Sequence, residues 1–231
     1  MLADDREKQR IFVFGASGHA KVVIDAIEQM GLYEIVFLVD DDLSLRGQRV
    51  YGYQSVGGKE DLIASAKRLR VDRGIVAIGS NSAREQVASW LMENGFGFIT
   101  AVHPAARIGR GVTIGPGTVV MAGGVVNSDS VIGEHVIINT AATVDHDCKL
   151  GPFVHIAPGS HLCGTVSVGR SSFVCAGVTV TPNCSIGKNV VVGAGSTVLD
   201  DLPDDVTATG SPARARPRDK GSYETERNQD A

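Results

Sequence analysis

The sequence predicts a Rossmann-like α/β domain followed by a parallel β-helix of triangular cross-section. An aliphatic residue recurs every six positions from Val102 to Val198, and such a fixed internal period is typical of a repeat architecture. Before residue 100, apolar strand patterns alternate instead with helical ones. Residues 102–203 carry 11 charged side chains, against 37 in the rest of the chain. The change in composition indicates a domain boundary near residue 100.

The α/β domain, predicted over 1–100, contains three apolar runs and two segments of helical periodicity. The runs predict strands at 10–14, 34–39 and 73–78, and the periodic segments predict helices at 21–30 and 82–94. Strands that alternate with helices are typical of a parallel sheet that binds nucleotides.

A Gly-x-x-Gly turn follows the first predicted strand and opens the first helix. Backbone N–H groups at a helix N-terminus bind anions, so Gly15 and Gly18 predict a phosphate site. NAD would also suit this turn, with Asp40 accepting a hydrogen bond from a ribose. The third glycine of that fingerprint is replaced by Ala20 or Lys21.

The β-helix is predicted over 101–214 from the six-residue period. Seventeen consecutive positions in this phase are Ile, Leu or Val, which chance does not explain. They are Val102, Ile108, Ile114, Val120, Val126, Ile132, Ile138, Val144, Leu150, Ile156, Leu162, Val168, Val174, Val180, Ile186, Val192 and Val198. With three six-residue units per coil, the repeat predicts just under six coils, and we expect a mobile tail over 215–231.

Two further columns describe each six-residue unit. Three places beyond the aliphatic residue stand mostly Gly, Asp or Asn, which tolerate positive φ, so each unit is a short strand followed by a corner. Four places beyond it the residue is mostly small or β-branched, as at Ser160 and Cys148, which indicates a second inward position.

The composition limits the partners and the compartment. The formal charge of −4 and the pI of about 5.8 lack the basic excess of nucleic-acid binding, so we expect no nucleic acid partner. The absence of an 18-residue apolar run or a signal pattern predicts no membrane insertion and a cytoplasmic location. The four cysteines form no CxxC pair, so no metal site is predicted.

The chain resembles the bacterial nucleotide-sugar acetyltransferases of the left-handed β-helix (hexapeptide repeat) superfamily. That family includes UDP-4-amino-sugar and GDP-perosamine N-acetyltransferases and sialic acid O-acetyltransferases. The resemblance covers residues 10–214 and implies left-handed coiling, acetyl-CoA as co-substrate, and a homotrimer with sites between subunits. The motifs that carry it are the hexads, Gly15-Ala16-Ser17-Gly18-His19, Phe37-Leu38-Val39-Asp40-Asp41, Asp145-His146-Asp147-Cys148 and Gly210-Ser211-Pro212-Ala213-Arg214.

His146 lies in a corner column that points outward, so it is not predicted to be a core residue. The resemblance implies that it is the general base, and imidazole suits that role because its pKa lies near neutral pH. Asp147 matches the acidic partner that orients the base. An ordinary surface histidine and a turn-forming aspartate remain the alternatives.

The resemblance also implies binding residues for both substrates. The nucleotide-linked amino sugar is expected at Gly15, Ser17, Gly18, His19, Asp40, Asp41, Asn81 and Arg84. Acetyl-CoA is expected at His155, Gly164, Ala176, Gly177, Ala194 and Arg214. Asn81 and Arg84 fit the N-terminus of a helix equally well.

These residues predict transfer of acetyl from acetyl-CoA to the 4-amino group of a nucleotide-linked dideoxy sugar. The alternatives are O-acetylation of a sialic acid or similar sugar, a non-catalytic sugar-nucleotide sensor, and a zinc hydratase of the γ class. The hydratase requires three histidines on one β-helix, whereas here the histidines occupy different hexad columns.

Overall fold

The computed structural model describes residues 8–218. Its N-terminal part is an α/β unit with a four-stranded parallel sheet in the order β2-β1-β5-β6. In chain order the elements are β1 (Gln9–Phe14), α1 (Gly18–Met30), β2 (Tyr33–Val39), a 3-10 turn (Leu43–Leu45), β3 (Arg49–Val50), β4 (Tyr53–Gln54), α2 (Lys59–Leu69), β5 (Arg73–Val76), α3 (Asn81–Glu93) and β6 (Gly97–Phe98).

The three predicted strands and both predicted helices are present as β1, β2, β5, α1 and α3. The sequence patterns missed α2 and the antiparallel β3–β4 hairpin. Strand β1 pairs with β2 on one side and with β5 on the other. The chain therefore adds β2 to one side of β1 and later adds β5 to the opposite side, so the strand order switches at β1. Ligands of open α/β sheets bind at such a switch point.

The C-terminal part is the predicted β-helix. Seventeen two-residue strands, β7 to β23, follow at six-residue intervals, and each ends on a residue of the aliphatic column. They are Ala101–Val102, Arg107–Ile108, Thr113–Ile114, Val119–Val120, Val125–Val126, Val131–Ile132, Ile137–Ile138, Thr143–Val144, Lys149–Leu150, His155–Ile156, His161–Leu162, Ser167–Val168, Phe173–Val174, Thr179–Val180, Ser185–Ile186, Val191–Val192 and Thr197–Val198. Strands 18 residues apart pair in parallel, and they form three sheets around one core.

The corners adopt the left-handed backbone conformation that the glycine, aspartate and asparagine column predicts. Every position of this column from Gly111 to Gly195 has positive φ. The conformation persists where the residue is unsuited to it, as at His135 (φ 53°) and Thr165 (φ 62°). The coil therefore imposes the corner on the residue, since a non-glycine at positive φ is otherwise uncommon.

The second inward column is also confirmed, and its hydroxyls link successive coils. Ser160 is fully buried; its Oγ donates to the carbonyl of Cys175 (2.7 Å) and accepts from the N–H of Val178 (3.3 Å). Thr118 makes the equivalent pair of bonds. Buried hydroxyls are tolerated here because each has both a donor and an acceptor.

Two longer strands, β24 (Val206–Thr209) and β25 (Arg214–Pro217), close one edge of the eight-stranded sheet. Strand β25 pairs antiparallel with β24, so residues 215–217 are part of the sheet. The tail predicted to begin at residue 215 therefore begins no earlier than residue 218. Residues 219–231 of that tail lie outside the described residues. Within residues 8–218, no helix has the length and apolar character needed to span a membrane.

Candidate active site

A cleft of about 740 Å³ lies between the α/β unit and the β-helix. One wall comes from the loops that follow β1 and β5, at the switch point of the sheet. The other wall is the outer face of the β-helix around Phe173 and Val191, with the adjacent corner. Of the residues predicted to bind substrate or cofactor, those that line this cleft are Ser17, His19, Asn81, His155, Ala176 and Ala194.

The loop after β1 presents the N-terminus of α1 to the cleft. Gly15 has a φ of 123°, and a Cβ there would lie 2.6 Å from the carbonyl oxygen of Ala77, so only glycine fits between the two loops. The N–H groups of Ser17, Gly18 and His19 begin the helix, where no preceding helical carbonyl is available to them. The first turn of α1 contains no acidic residue, so this end of the helix is suited to an anion.

Asp40 supports this loop from behind and does not line the cleft. Its carboxylate accepts hydrogen bonds from the backbone N–H groups of Ala16 (2.7 Å) and Asp42 (2.9 Å). The neighbouring Asp41 forms an ion pair with Lys59 at 3.4 Å. In this chain both aspartates therefore shape the loops at the sheet edge.

A second cavity, of about 340 Å³, lies on the other side of the same loop. It is lined by Ala16 and Lys21 from α1 and its loop, and by the segment around the β3–β4 hairpin, including Gln48, Arg49 and Ser55. The Oγ of Ser55 is buried and has no hydrogen-bond partner among the described residues. No sequence pattern pointed to this cavity, because the hairpin that forms it was not predicted.

His19 lines the main cleft as a neutral imidazole. Burial, and next the nearby charge of Arg84, lower the pKa of His19 to about 4. Its Nε2 atom is buried and makes no hydrogen bond to residues 8–218. An unpartnered buried polar atom in a cleft wall is a candidate contact for a ligand.

His155 lies on the opposite wall, where its ring packs against Phe173 at 4.8 Å between centroids. The amide of Asn139 donates to Nε2 (3.2 Å), which leaves Nδ1–H to donate to the carbonyl of Gly79 (3.2 Å). Burial lowers the pKa of His155 well below its usual value. The ring is therefore a neutral link between the two walls.

Asn81 and Arg84, both expected to bind substrate, join the two parts of the chain, and Asn81 also lines the cleft. Arg84 is fully buried, and all five of its N–H groups donate to acceptors of the chain. The amide of Asn81 donates to the carbonyls of Ser171 and Ser172 in the β-helix. Arg84 therefore has no donor left for a substrate, because its guanidinium is already saturated.

The corner beside the cleft carries small, exposed residues at successive coils, with Ala176, Gly177 and Ala194 among them. We call these exposed corner residues the track of small residues. Arg214 lies on β25, where it pairs with Thr209 in the same sheet, and its guanidinium is 3.9 Å from the carboxylate of Asp200.

His146 and Asp147 lie at another corner and do not line the cleft. The side chain of His146 is 58% exposed, and its Nδ1 lies 2.8 Å from the Asp147 carboxylate. This hydrogen bond raises the pKa of His146 and leaves Nε2 directed away from Asp147. A Cβ at Gly164 would lie 2.6 Å from that Nε2, so glycine leaves room for the ring against the next coil.

The structure thus brings some of the predicted residues together in two groups, whereas Asp40, Asp41, Arg84 and Arg214 belong to neither. His146, Asp147 and Gly164 form one, and the cleft residues form the other. Sequence reasoning missed much of the cleft wall, including Ile78 and Val191, because outward positions of a coil carry no residue-type signal. Within residues 8–218 no group of three His, Cys, Asp or Glu side chains of one chain is placed to hold a metal ion.

Comparison with known proteins agrees with this architecture. Residues 10–91 match the family model of the PglD N-terminal domain, and residues 165–200 match that of the bacterial transferase hexapeptide (six repeats). The UDP-N-acetylbacillosamine N-acetyltransferase of Bacillus subtilis is 36% identical over 116 residues, which are 49% of this chain and 52% of that protein.

Two solved structures resemble nearly the whole chain. One is a histidine-to-asparagine variant of perosamine N-acetyltransferase from Caulobacter crescentus in complex with CoA and GDP-perosamine, with 39% identity, a TM-score of 0.85, and coverage of 90% of this chain and 97% of that one. The other is the acetyltransferase domain of PglB from Neisseria gonorrhoeae in complex with acetyl coenzyme A, with 36% identity, a TM-score of 0.83, and coverage of 91% and 100%. The chain therefore belongs to the PglD family of nucleotide-sugar N-acetyltransferases with a hexapeptide β-helix.

Proposed function

We propose that this enzyme transfers acetyl from acetyl-CoA to the 4-amino group of a nucleotide-linked 4-amino-4,6-dideoxy sugar. The observation that carries the proposal is the cleft, which has the N-terminus of α1 on one wall and small residues, including Ala157, Ala176 and Ala194, on the other. Related proteins are named for N-acetylation of GDP-perosamine and UDP-N-acetylbacillosamine.

The N-terminal domain, residues 1–100, holds the nucleotide sugar in this proposal. Its diphosphate binds the N–H groups of Ser17, Gly18 and His19 at the start of α1. The nucleoside enters the 340 Å³ cavity on one side of the loop, and the amino sugar enters the 740 Å³ cleft on the other. Both volumes fall in the range of small-molecule sites.

The β-helix domain, residues 101–214, holds acetyl-CoA along the track that includes Ala176, Gly177 and Ala194. A narrow groove with small side chains exposes backbone groups to the pantetheine arm. Arg214 is the cation we assign to the phosphates of CoA, since its side chain stays 67% exposed beside Asp200.

His146 is the general base of the proposed reaction. The sugar amine attacks the thioester carbonyl carbon, and the amine proton passes to Nε2 of His146. The carbon–sulfur bond then breaks, and the CoA thiolate leaves and takes up a proton, so no covalent enzyme intermediate is formed. Asp147 holds the imidazole through Nδ1, and the N–H of Gly164 is the donor we assign to the oxyanion.

A homotrimer completes the site in this proposal. His146 does not line the cleft of its own chain, so a neighbouring subunit must present its His146 there. Three β-helices packed side by side achieve this by symmetry, because each subunit then gives one base and one cleft.

The test combines turnover with nucleotide binding. Acetyl-CoA consumption is measured on UDP-, GDP- and dTDP-linked 4-amino sugars and on matched 4-hydroxy sugars, and UDP, GDP and dTDP are each tested for a rise in Tm. We expect turnover on one or more amino sugars and stabilisation by the matching nucleotide. Turnover on hydroxy sugars alone would instead indicate O-acetylation, and nucleotide stabilisation without any turnover would indicate a sensor.

A further inference from the structure

The wall of the cleft that contains the loop after β5 is held to the β-helix by several side chains, of which Arg84 is the most buried. Arg84 lies on the first turns of α3, and its five N–H groups reach both sides of the domain boundary. Their acceptors are the carbonyl oxygens of His135 (2.9 Å), Phe153 (2.9 Å), Ile78 (3.0 Å) and Gly79 (3.1 Å), and the Oδ1 of Asn81 (2.7 Å).

Two neighbours of Arg84 make the same crossing. The amide of Asn81 donates to the β-helix carbonyls of Ser171 (3.1 Å) and Ser172 (3.2 Å). The Nδ1–H of His155 donates from the β-helix to the carbonyl of Gly79 (3.2 Å). We call Gly79, Asn81, Arg84 and His155 the domain clasp.

Stability alone does not explain the choice of arginine at this position. None of its five hydrogen-bond partners is a carboxylate. The charge of Glu85 acts on the guanidinium without a hydrogen bond to it, and burying a charge that no carboxylate contacts is costly. A well-packed apolar side chain would join two domains at lower cost. The planar guanidinium does what an apolar side chain cannot, because its rigid fork fixes the directions of all five acceptors at once.

We propose that Arg84 is a positioning residue, which fixes the loops that hold the nucleotide sugar at a set distance from the β-helix that holds the acyl donor. This inference rests on the proposed function. Asn81 and His155 also line the cleft, so the clasp forms part of the wall that the amino group and the thioester share. Transfer needs the two reacting atoms in near-attack geometry, whereas each substrate binds mainly to one side.

The proposal separates turnover from binding. Arg84→Lys keeps the charge but loses the planar fork, and Asn81→Ala removes two crossing bonds. We expect both variants to lower kcat by about tenfold or more, because a small displacement of the reacting atoms strongly reduces the rate. The affinities for nucleotide sugar alone and for CoA alone, measured by calorimetry, should stay within about threefold of wild type.

Val87→Ala is the matched control for loss of stability. Val87 lies one turn further along α3, is buried, and does not line the cleft. It should lower Tm while leaving kcat near the wild-type value. All rates are measured at least ten degrees below the Tm of each variant, so that unfolding does not contribute.

Several outcomes would overturn the positioning role. They are a wild-type kcat in Arg84→Lys and Asn81→Ala, an equal loss of kcat in Val87→Ala, or a loss of binding affinity as large as the loss of kcat. If Arg84→Lys fails to fold, Asn81→Ala decides the question. If the wild-type protein shows no turnover on any acceptor, both the proposed function and the positioning role are overturned. If the wild-type protein is active and the variants keep its kcat, only the positioning role is overturned.

Discussion

In the proposed reaction, His146 and Asp147 each have a separate role. The 2.8 Å bond from Nδ1 to the carboxylate selects the tautomer and leaves Nε2 available to a substrate. We expect His146→Ala to reduce kcat/KM by about 10²- to 10⁴-fold, the usual contribution of a general base. CoA affinity, measured by calorimetry, should stay nearly unchanged, because the imidazole acts on the attacking amine. A kcat/KM within a few-fold of wild type would rule out the assignment.

The same pair makes a pH prediction. The hydrogen bond that Nδ1–H donates to Asp147 raises the pKa of His146 above 6.5, and only the neutral imidazole accepts a proton. Activity should therefore rise with pH through that raised pKa. Asp147→Asn should move this rising limb to lower pH and cost less than His146→Ala, as measured from kcat/KM profiles. An unshifted limb would show that Asp147 does not act on the imidazole.

At the scale of the element, the inward aliphatic residues of the six-residue units stabilise each coil of the β-helix. Ile156 is fully buried and pairs with Ile138 and Val174 in the adjacent coils. Ile156→Val should cost about 0.5–1.5 kcal/mol, the usual result of removing one methylene. Ile156→Asp should be severe, because an unpaired carboxylate in this core cannot be hydrated. Thermal unfolding of both variants checks this, and an unchanged Tm for Ile156→Asp would refute the phase of the repeat.

The interface between the two domains makes the molecule sensitive to acid. Burial lowers the pKa of His19 and His135 to about 4, below the value of about 6.5 in the unfolded chain. The unfolded state therefore binds protons first as pH falls. Stability should be full above pH 6.5 and should decline between pH 6.5 and 4, by up to about 1.4 kcal/mol per pH unit for each histidine.

Denaturant unfolding at several pH values measures this decline. His135→Asn is a suitable comparison, since asparagine tolerates the positive φ at this corner and does not titrate. The decline should be shallower in that variant. Equal slopes in both proteins would show that His135 carries its proton equally well in the folded state.

At the scale of the whole molecule, the separation of His146 from the cleft predicts a shared site. Light scattering of fully active protein at micromolar concentration should give the mass of a trimer, and a monomer mass would contradict the assembly. Co-expression of His146→Ala with a variant blocked in the cleft, Ser17→Trp, offers a second test. Random mixing should restore about a quarter of the sites, because each site takes its base and its cleft from different subunits. No recovery would indicate that one chain supplies both.

The residue types at each position of the six-residue unit were enough to predict the β-helix, the phase of its repeat and its corners. Each unit of six residues repeats the same local geometry, so an inward aliphatic such as Val144 and a corner residue such as Asp147 are defined by position in the unit. The outward direction of His146 follows from the same columns. The Gly15-x-x-Gly18 turn was predictable for a similar reason, since a tight turn and a helix N-terminus are local features.

Only the tertiary structure decided how the two domains meet. Arg84 and Asn81 have the residue types of a substrate site, yet their partners in the β-helix lie 51 to 91 residues away in sequence, and no local pattern encodes such contacts. Asp40 has the type and position of a ribose ligand, but in the fold its carboxylate accepts from the loop that it supports. The residue type fixes how many hydrogen bonds a side chain can make. Which groups become its partners depends on which segments pack together, and the packing depends on the whole chain.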